Sequence, residues 1–289
     1  MKKIIIITII FICMVGCGIA LFSQGRRSAS DEISLKAEKT EANIKINKDG
    51  KDIVSRFSVP DGFIRVEYDK DSFAEYLRHY PLKKFGSPVK LYDGRKKSNQ
   101  VHVSVFDMPL LKEDLIQCAD AVIKLRAEYL YAQKRYDEIS FHITNGMEVP
   151  FSRYAKGERV IVKGNNTSWK SGYKEGYDRD VFESYLKFIY SYAGTYSLSV
   201  ESQKAAIFKL EPGNFFIYGG SPGHVVLVLD VAENPVTKKK IMLLGQSYMP
   251  SQEFHVLKSF EDISPWYYVN DEPLSTPEWD FERGSLKKF

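Results

Sequence analysis

The sequence of 289 residues contains few cysteines and histidines, and this scarcity excludes several classes of protein. It has 3 cysteines and 5 histidines, and the histidines are scattered without the spacing typical of metal ligands. Two of the cysteines lie in the N-terminal apolar segment, so Cys118 has no partner for an intramolecular disulfide in the rest of the chain. The sequence therefore predicts no metal site, no cofactor and no disulfide framework.

The sequence also lacks a basic tract and the glycine-rich loops that bind nucleotides. Lys and Arg total 41 against 37 for Asp and Glu, a mixed balance that argues against nucleic acid as a partner. Gly219-Gly220 is too short to be a Walker-type loop or a dinucleotide fingerprint. What remains is a globular composition, 44% hydrophobic and 13% aromatic.

The N-terminus carries a segment typical of export. A basic start, Met1-Lys2-Lys3, precedes an uncharged apolar stretch, and residues 1–22 are interpreted as a signal or anchor. Met14-Val15-Gly16-Cys17 resembles a bacterial lipobox, with Cys17 as the lipidated residue. The apolar run continues past Cys17, and about 20 such residues cross a bilayer, so an uncleaved single-span anchor is the alternative. We favour the lipoprotein, and both interpretations predict a domain exported and tethered to the membrane of the cell envelope.

The rest of the chain divides into a linker and one domain. Residues 23–52 are polar and charged and are predicted to be flexible, whereas residues 53–289 are predicted to form one α+β domain. In this domain, helices are expected to pack against an antiparallel sheet. The strongest helix is predicted over Leu115–Gln133, where apolar residues recur at steps of three and four. Cys118 is then in its first or second turn, where the helix dipole would lower the pKa of a thiol.

Two apolar runs in the C-terminal half predict a hairpin. Val225–Val231 and Ile241–Leu244 are expected to pair as antiparallel strands around the polar segment 232–240. In that register His224 lies opposite Gln246 or Ser247. A polar side chain facing an imidazole can hold it in one tautomer, as catalytic histidines require.

Candidate substrate-binding residues surround this histidine in the sequence. The glycine-rich segment 219–223 would let the backbone approach a substrate closely, which selects Gly220, Ser221 and Gly223. Trp266 is the aromatic candidate for the wall of a sugar or peptide cleft, although core packing is the ordinary role of such a ring.

Three segments resemble the NlpC-type papain-fold cysteine peptidases. They are Gln117-Cys118-Ala119-Asp120, Pro212-Gly213-Asn214-Phe215-Phe216 and Gly223-His224-Val225-Val226-Leu227. The resemblance implies a papain-like core with Cys118 as nucleophile, His224 as base and a polar residue of the next strand, Gln246 or Ser247, orienting the imidazole. The sequence departs from the pattern at Gln117 and Ala119, where those peptidases have Asp and Ser.

A second resemblance covers almost the whole domain. The chain is similar to a family of exported bacterial proteins, the domain-of-unknown-function family numbered four-eight-four-six. The matching segments are Gln117–Asp120, Arg126–Leu130, Tyr192–Thr195, Gly219–His224, Gln246–Pro250, Pro265–Tyr267 and Thr276–Trp279. This resemblance implies no established activity, so function has to be argued from the site.

Two hypotheses follow for the function. The first is a tethered cysteine hydrolase of amide or ester bonds acting on a cell-wall substrate such as peptidoglycan, through Cys118, His224 and Gln246, with Ser247 as alternate. The second is a non-catalytic lipoprotein that binds a glycan, a wall fragment or a protein partner.

Overall fold

The computed structural model describes residues 44–289. The predicted signal or anchor, with Cys17, and the linker up to residue 43 lie outside the described residues. Residues 44–52, which the sequence analysis assigned to the linker, pack on the domain instead. Ile46 forms a β-bridge with Phe57, and the carbonyl oxygen of buried Gly50 accepts a hydrogen bond of 2.8 Å from Arg56 Nε. No helix within the described range is both long and apolar enough to span a bilayer.

The described residues form a mixed α+β fold with six α-helices and fifteen strands. The helices are α1 (Ile53–Arg56), α2 (Phe73–Arg78), α3 (Cys118–Ala132), α4 (Phe151–Ala155), α5 (Arg179–Tyr192) and α6 (Thr195–Glu201). The strands are β1 (Ile64–Arg65), β2 (His102–Val105), β3 (Ser140–His142), β4 (Glu148–Pro150), β5 (Arg159–Lys163), β6 (Asn166–Lys170), β7 (Gln203–Lys204), β8 (Phe215–Tyr218), β9 (His224–Glu233), β10 (Lys240–Gln246), β11 (His255–Leu257), β12 (Tyr267–Tyr268), β13 (Leu274–Ser275), β14 (Asp280–Phe281) and β15 (Leu286–Lys288).

Nine of these strands form one antiparallel sheet, which confirms the predicted α+β class. The order is β2-β11-β10-β9-β8-β15-β7, while β1 pairs with β9 and β12 pairs with β10. The predicted hairpin is its centre, because β9 and β10 are adjacent, antiparallel and almost wholly buried. The Asn234 side chain accepts hydrogen bonds from the amides of Val236 and Thr237, which stabilises the turn between them.

The register of the hairpin differs from the predicted one. Leu243 pairs with Asp230 but Leu244 pairs with Val228, so Leu229 is an extra residue in a β-bulge. The ladder ends at the pair Gly245–Leu227, which places Gln246 diagonally across from the start of β9 rather than directly opposite it. The apolar pattern predicted the pairing of the strands but contained no signal for the bulge.

Both faces of the hairpin are covered. Val225, Leu227 and Leu229 pack on the side of the helices, whereas Val226 and Val228 pack on the side of the C-terminal strands. Helix α3 lies in the first of these cores and is buried on several faces, rather than along the single stripe that the sequence predicted. Helix α3 packs against β9, and its first residue, Cys118, lies at the end of the sheet at which β9 begins.

Candidate active site

Cys118 is the first residue of α3 and lies against the backbone of β9. Its thiol donates a weak hydrogen bond to the Gly223 carbonyl oxygen, with a sulfur–oxygen distance of 4.0 Å. The Val225 amide also faces the sulfur. Gly223 and Val225 are the two neighbours of His224, so the fold brings the predicted nucleophile to the chain segment that carries the predicted base.

The hydroxyls of two serines after β10 contact the backbone just before α3. Ser251 Oγ donates to the Ile116 carbonyl oxygen at 2.8 Å, and Ser247 Oγ donates to the Gln252 carbonyl at 2.7 Å and lies 3.3 Å from the Ile116 carbonyl oxygen. Ser247 was the alternate candidate for orienting His224, and the structure corrects this assignment. Its hydroxyl is occupied by backbone carbonyls and joins the segment before α3 to the sheet.

A cavity of about 600 Å³ opens beside Cys118. It lies between the start of α3, the junction of α5 and α6, and the glycine-rich loop before β9. Of the predicted substrate-binding residues, Gly220, Ser221 and Gly223 line this cavity together with Cys118. The volume is large enough for a small ligand or for part of a polymer.

The glycine-rich loop is held close to α6 by contacts that leave no space for side chains. Thr195 Oγ1, at the start of α6, donates to the Gly220 carbonyl oxygen at 3.1 Å. A Cβ atom on Gly223 would lie 2.6 Å from the same carbonyl and would also overlap the Thr195 hydroxyl. Glycine is therefore needed at position 223 for packing, and the same packing forms the cavity wall next to Cys118.

The environment of the thiol opposes the pKa shift that the sequence predicted. Burial raises the pKa of Cys118 to about 12, and the carboxyl of Asp120 adds to the rise. The amides of Ala119, Cys118 and Val225 act in the opposite direction but do not outweigh burial. The helix N-terminus is present as expected, yet the thiol is protonated in the free protein at neutral pH.

His224 begins β9 and is held by a chain of buried and partly buried polar groups. Its Nε2 lies 2.8 Å from Gln246 Oε1, and Gln246 Nε2 donates to Glu278 Oε2 at 2.6 Å. Glu278 in turn forms an ion pair with Lys97, whose ammonium also donates to the Asn99 carbonyl at 2.7 Å. Gln246, one of the two predicted partners, is thus the residue that contacts the imidazole.

This chain determines the tautomer of His224. The carboxylate of Glu278 can only accept, so the amide nitrogen of Gln246 faces it and the amide oxygen faces the ring. An amide oxygen also only accepts, so Nε2 of His224 carries the proton and Nδ1 keeps its lone pair. Burial lowers the pKa of His224 to about 4, which leaves the ring neutral at pH 7.

The imidazole packs among aromatic rings beside the cavity. Ring centroids lie 4.7 Å away for Tyr248, 5.5 Å for Trp279 and 6.0 Å for Phe281. His224 is not among the residues that line the cavity, and within residues 44–289 no hydrogen bond joins its ring to the Cys118 sulfur. The hydrogen bond expected between a nucleophilic thiol and its base is therefore absent from the described residues.

Trp266 does not belong to this site, and its assignment to a substrate cleft is corrected. The ring is fully buried in the core on the helix side of the sheet, and its Nε1 donates to the Ser58 carbonyl oxygen at 3.0 Å. The guanidinium of Arg65 lies over it, 5.8 Å from the ring centroid. Packing, rather than ligand binding, accounts for this tryptophan.

Several residues of the site were missed by the sequence analysis. Lys97 and Glu278 lie 181 residues apart and meet only in the folded chain. Asp120 and Tyr190 line the cavity with Cys118, and each has a buried oxygen without a hydrogen-bond partner within the described residues. For Asp120 a signal was available, because a carboxylate two residues after a candidate nucleophile is in the same helical turn.

The described residues show no arrangement for a metal. Within residues 44–289, no group of three or more His, Cys, Asp or Glu side chains is placed to hold an ion.

Comparison with known proteins identifies the family of the chain. Residues 53–288 match the family described as domain of unknown function (4846), and the chain belongs to it. No curated protein and no solved structure shows significant similarity to the chain.

Proposed function

We propose that this member of the family is a membrane-tethered cysteine hydrolase that cleaves an amide or ester bond in the cell envelope. Cys118 is the nucleophile, His224 the general base, and Gln246 the residue that orients the imidazole. Peptidoglycan fragments are the first substrate class to test, since the predicted N-terminal signal would place the domain next to the cell wall.

One observation carries the proposal. The hydrogen-bonded chain from Glu278 through Gln246 to His224 leaves Nδ1 as the basic nitrogen, and the Cys118 sulfur lies against the backbone on both sides of that histidine. A base held in one tautomer by a third polar residue, next to a thiol at a helix N-terminus, is the arrangement used for thiol activation. The same arrangement supports a papain-like core for the domain.

The proposed reaction begins from a neutral pair. The Cys118 sulfur attacks the carbonyl carbon while its proton passes to His224 Nδ1, and backbone amides at the start of α3 stabilise the oxyanion. The bond to the leaving amine or alcohol then breaks, and the imidazolium gives its proton to that group. A water molecule then attacks the thioester as it gives a proton to His224, the bond to the Cys118 sulfur breaks, and the imidazolium returns its proton to that sulfur, which releases the acid and the free thiol. Because the resting thiol pKa is about 12, the proton moves during the attack rather than before it.

A second function, a non-catalytic module that binds a wall fragment, is favoured by the same pKa. A thiol with a pKa near 12 and no hydrogen bond to the imidazole is unreactive as it stands. In this alternative the cavity beside Cys118 binds the ligand, and the His224 chain stabilises the fold.

Turnover and binding of purified wall fragments distinguish the two functions. Full-length protein in detergent micelles is compared with Cys118→Ala, His224→Ala and Glu282→Gln, a substitution of an exposed residue that does not line the cavity. A hydrolase releases product, loses about 1,000-fold or more in rate in the first two variants and keeps the rate of Glu282→Gln. Equal fragment binding by all four proteins, without product from any of them, would replace the hydrolase with the binding module.

A further inference from the structure

The cavity beside Cys118 is lined by acidic residues and by no basic ones. Asp114 and Asp120 are the acidic side chains among its lining residues, and no lysine, arginine or histidine of the described range belongs to that set. The other titratable groups there are Cys118, Tyr190 and Tyr196. A cavity with this composition attracts cations and groups that donate hydrogen bonds.

Asp120 is a carboxyl group whose bonding is incomplete. It is 5% exposed, and its Oδ2 accepts a hydrogen bond of 3.0 Å from the Gln117 amide, which caps α3. Its Oδ1 is buried and has no partner within residues 44–289. Burial raises the pKa of this carboxyl to about 8, and no cation acts against the rise. A carboxyl in such a position stays protonated in the free protein at pH 7, and it ionises only when a positive group or further hydrogen-bond donors come beside it.

Tyr190 supplies a second oxygen without a partner at the same wall. Its side chain is 7% exposed, and its hydroxyl is buried without a hydrogen bond to any described residue. Burial raises the pKa of this hydroxyl and the charge of Asp120 adds to the rise, and both residues line the same cavity. Asp114 differs, because its Oδ1 already accepts from the Ser251 amide at 2.6 Å and from Gln117 Nε2 at 3.1 Å.

We propose that Asp120 and Tyr190 form a subsite for a protonated amino group of the ligand, next to Cys118. An ammonium group has three N–H donors and one positive charge, so it can satisfy both oxygens and compensate the carboxylate. A neutral amide or a water molecule would supply the hydrogen bonds but not the charge. The inference rests on the proposed function only in that it takes this cavity as the ligand site. It adds a substrate class, namely substrates that carry a protonated amino group close to the bond that is cleaved.

Binding of two matched probes tests the subsite. The probes are alanyl-alanine amide with a free amino terminus and its N-acetyl form, titrated calorimetrically into full-length Cys118→Ala protein in detergent micelles at pH 7. We expect the free amine to bind about tenfold more tightly than the acetylated form. We also expect proton release on binding of the amine, detected as a dependence of the heat on the buffer, because Asp120 must ionise to pair with it.

Three further variants in the same Cys118→Ala background distinguish binding at this subsite from a general attraction of cations to an acidic cavity. Asp120→Asn keeps an oxygen for the Gln117 amide, so the cap of α3 is preserved, and it should abolish both the amine preference and the proton release. Tyr190→Phe should reduce the preference. Asp114→Asn changes an acidic residue of the same cavity whose Oδ1 already accepts hydrogen bonds. This variant should retain most of the preference for the amine.

Contrary results would overturn the subsite. Equal affinity for the two probes, no binding of either probe, or a preference that survives Asp120→Asn would each show that Asp120 and Tyr190 do not form a subsite for an amino group. Because the background variant cannot turn over, these outcomes are independent of hydrolysis. Amine binding without wall-fragment turnover by the wild type would keep the subsite and refute the hydrolase, and turnover without amine preference would do the reverse.

Discussion

The two sides of the candidate site differ in how completely their polar atoms are bonded. On the sheet side, His224 Nε2, the Gln246 amide and the Glu278 carboxylate form one continuous chain of contacts. On the cavity side, Asp120 Oδ1 and the Tyr190 hydroxyl have no partner within the described residues, although both are buried. The two sides meet at the backbone of Gly223 and Val225, next to the Cys118 sulfur.

The chain on the sheet side therefore holds the imidazole through protein groups, whereas two buried oxygens on the cavity side are bonded to no described residue. A continuous chain of hydrogen bonds restricts the geometry of the groups within it. Oxygens left without partners at the wall of a cavity lower the stability of the free protein, and a ligand that satisfies them recovers that stability. We infer that the sheet side is preorganised for the imidazole and that the cavity side acquires its final electrostatics only with a ligand bound.

Removal of the carboxylate from the bonded side should have the largest effect on stability. Glu278→Ala leaves Lys97 buried without its counter-charge and should lower the free energy of unfolding by about 3 kcal/mol. Chemical denaturation of the full-length protein in micelles measures the change. Glu282→Ala, an exposed glutamate nearby, should change it by less than about 0.5 kcal/mol.

A second substitution tests whether the loss arises from the uncompensated charge. Adding Lys97→Met to Glu278→Ala should restore much of the lost stability, because the double variant buries no unpaired ammonium. If the two losses add instead, the ion pair does not act as a unit, and the bonded side is less coupled than we describe.

The dependence of stability on pH should show the protonation state of Asp120 on the cavity side. The raised pKa of Asp120, about 8, means that the folded protein binds more protons than the unfolded chain between about pH 4 and 8. Its free energy of unfolding therefore falls as pH rises through that range. His224, with a pKa lowered to about 4, and His255, with a pKa lowered to about 3, act in the opposite direction, but only below about pH 6.5.

Between pH 6.5 and 8 the contribution of Asp120 is thus separate from those of the two histidines. A decline of about 2 kcal/mol is expected over that interval, at most about 1.4 kcal/mol per pH unit for one group. Asp120→Asn should remove it, and the exposed variant Asp114→Asn should not. An identical slope in the wild type and in Asp120→Asn would mean that Asp120 is ionised in the free protein.

Two tyrosines on α5 differ in whether their hydroxyls are bonded, and their substitution should have the smallest effect on stability. Tyr185 donates its hydroxyl to the Val149 carbonyl oxygen at 2.8 Å, whereas the Tyr190 hydroxyl has no partner within the described residues. Tyr185→Phe should lower the free energy of unfolding by about 1 kcal/mol, and Tyr190→Phe should leave it unchanged or raise it. Equal losses would indicate that the Tyr190 hydroxyl is bonded in solution.

The central hairpin could be predicted from the sequence because its signals are local. Apolar runs of the right length with a polar turn between them are sufficient to pair β9 with β10. The bulge at Leu229 could not be predicted, because an extra residue in a fully apolar strand does not change the pattern. Gln246 was therefore selected from an approximate register, and Ser247, its neighbour, was selected with it although its hydroxyl bonds backbone carbonyls instead.

The electrostatics of the site could not be predicted, because they depend on burial. The position of Cys118 at a helix start was correct, but the direction of its pKa shift was wrong, since desolvation outweighs the effect of the free amides. The ion pair between Lys97 and Glu278 could not be predicted either, because the two residues are far apart in the sequence and meet only in the fold. Trp266 was wrongly assigned for the same reason. An aromatic ring suits a substrate cleft as well as a core, and only the folded structure shows that this ring is buried in the core.

The tautomer of His224 tests the central claim most directly, because the proposed base is Nδ1. Nitrogen-15 NMR of histidine-labelled protein identifies which ring nitrogen carries the proton. We predict a neutral ring protonated at Nε2 from pH 7 down to about pH 5, and a mixture of tautomers in Glu278→Ala, where the Gln246 amide is free to rotate. A ring protonated at Nδ1 in the wild type, or an unchanged tautomer in Glu278→Ala, would contradict the account.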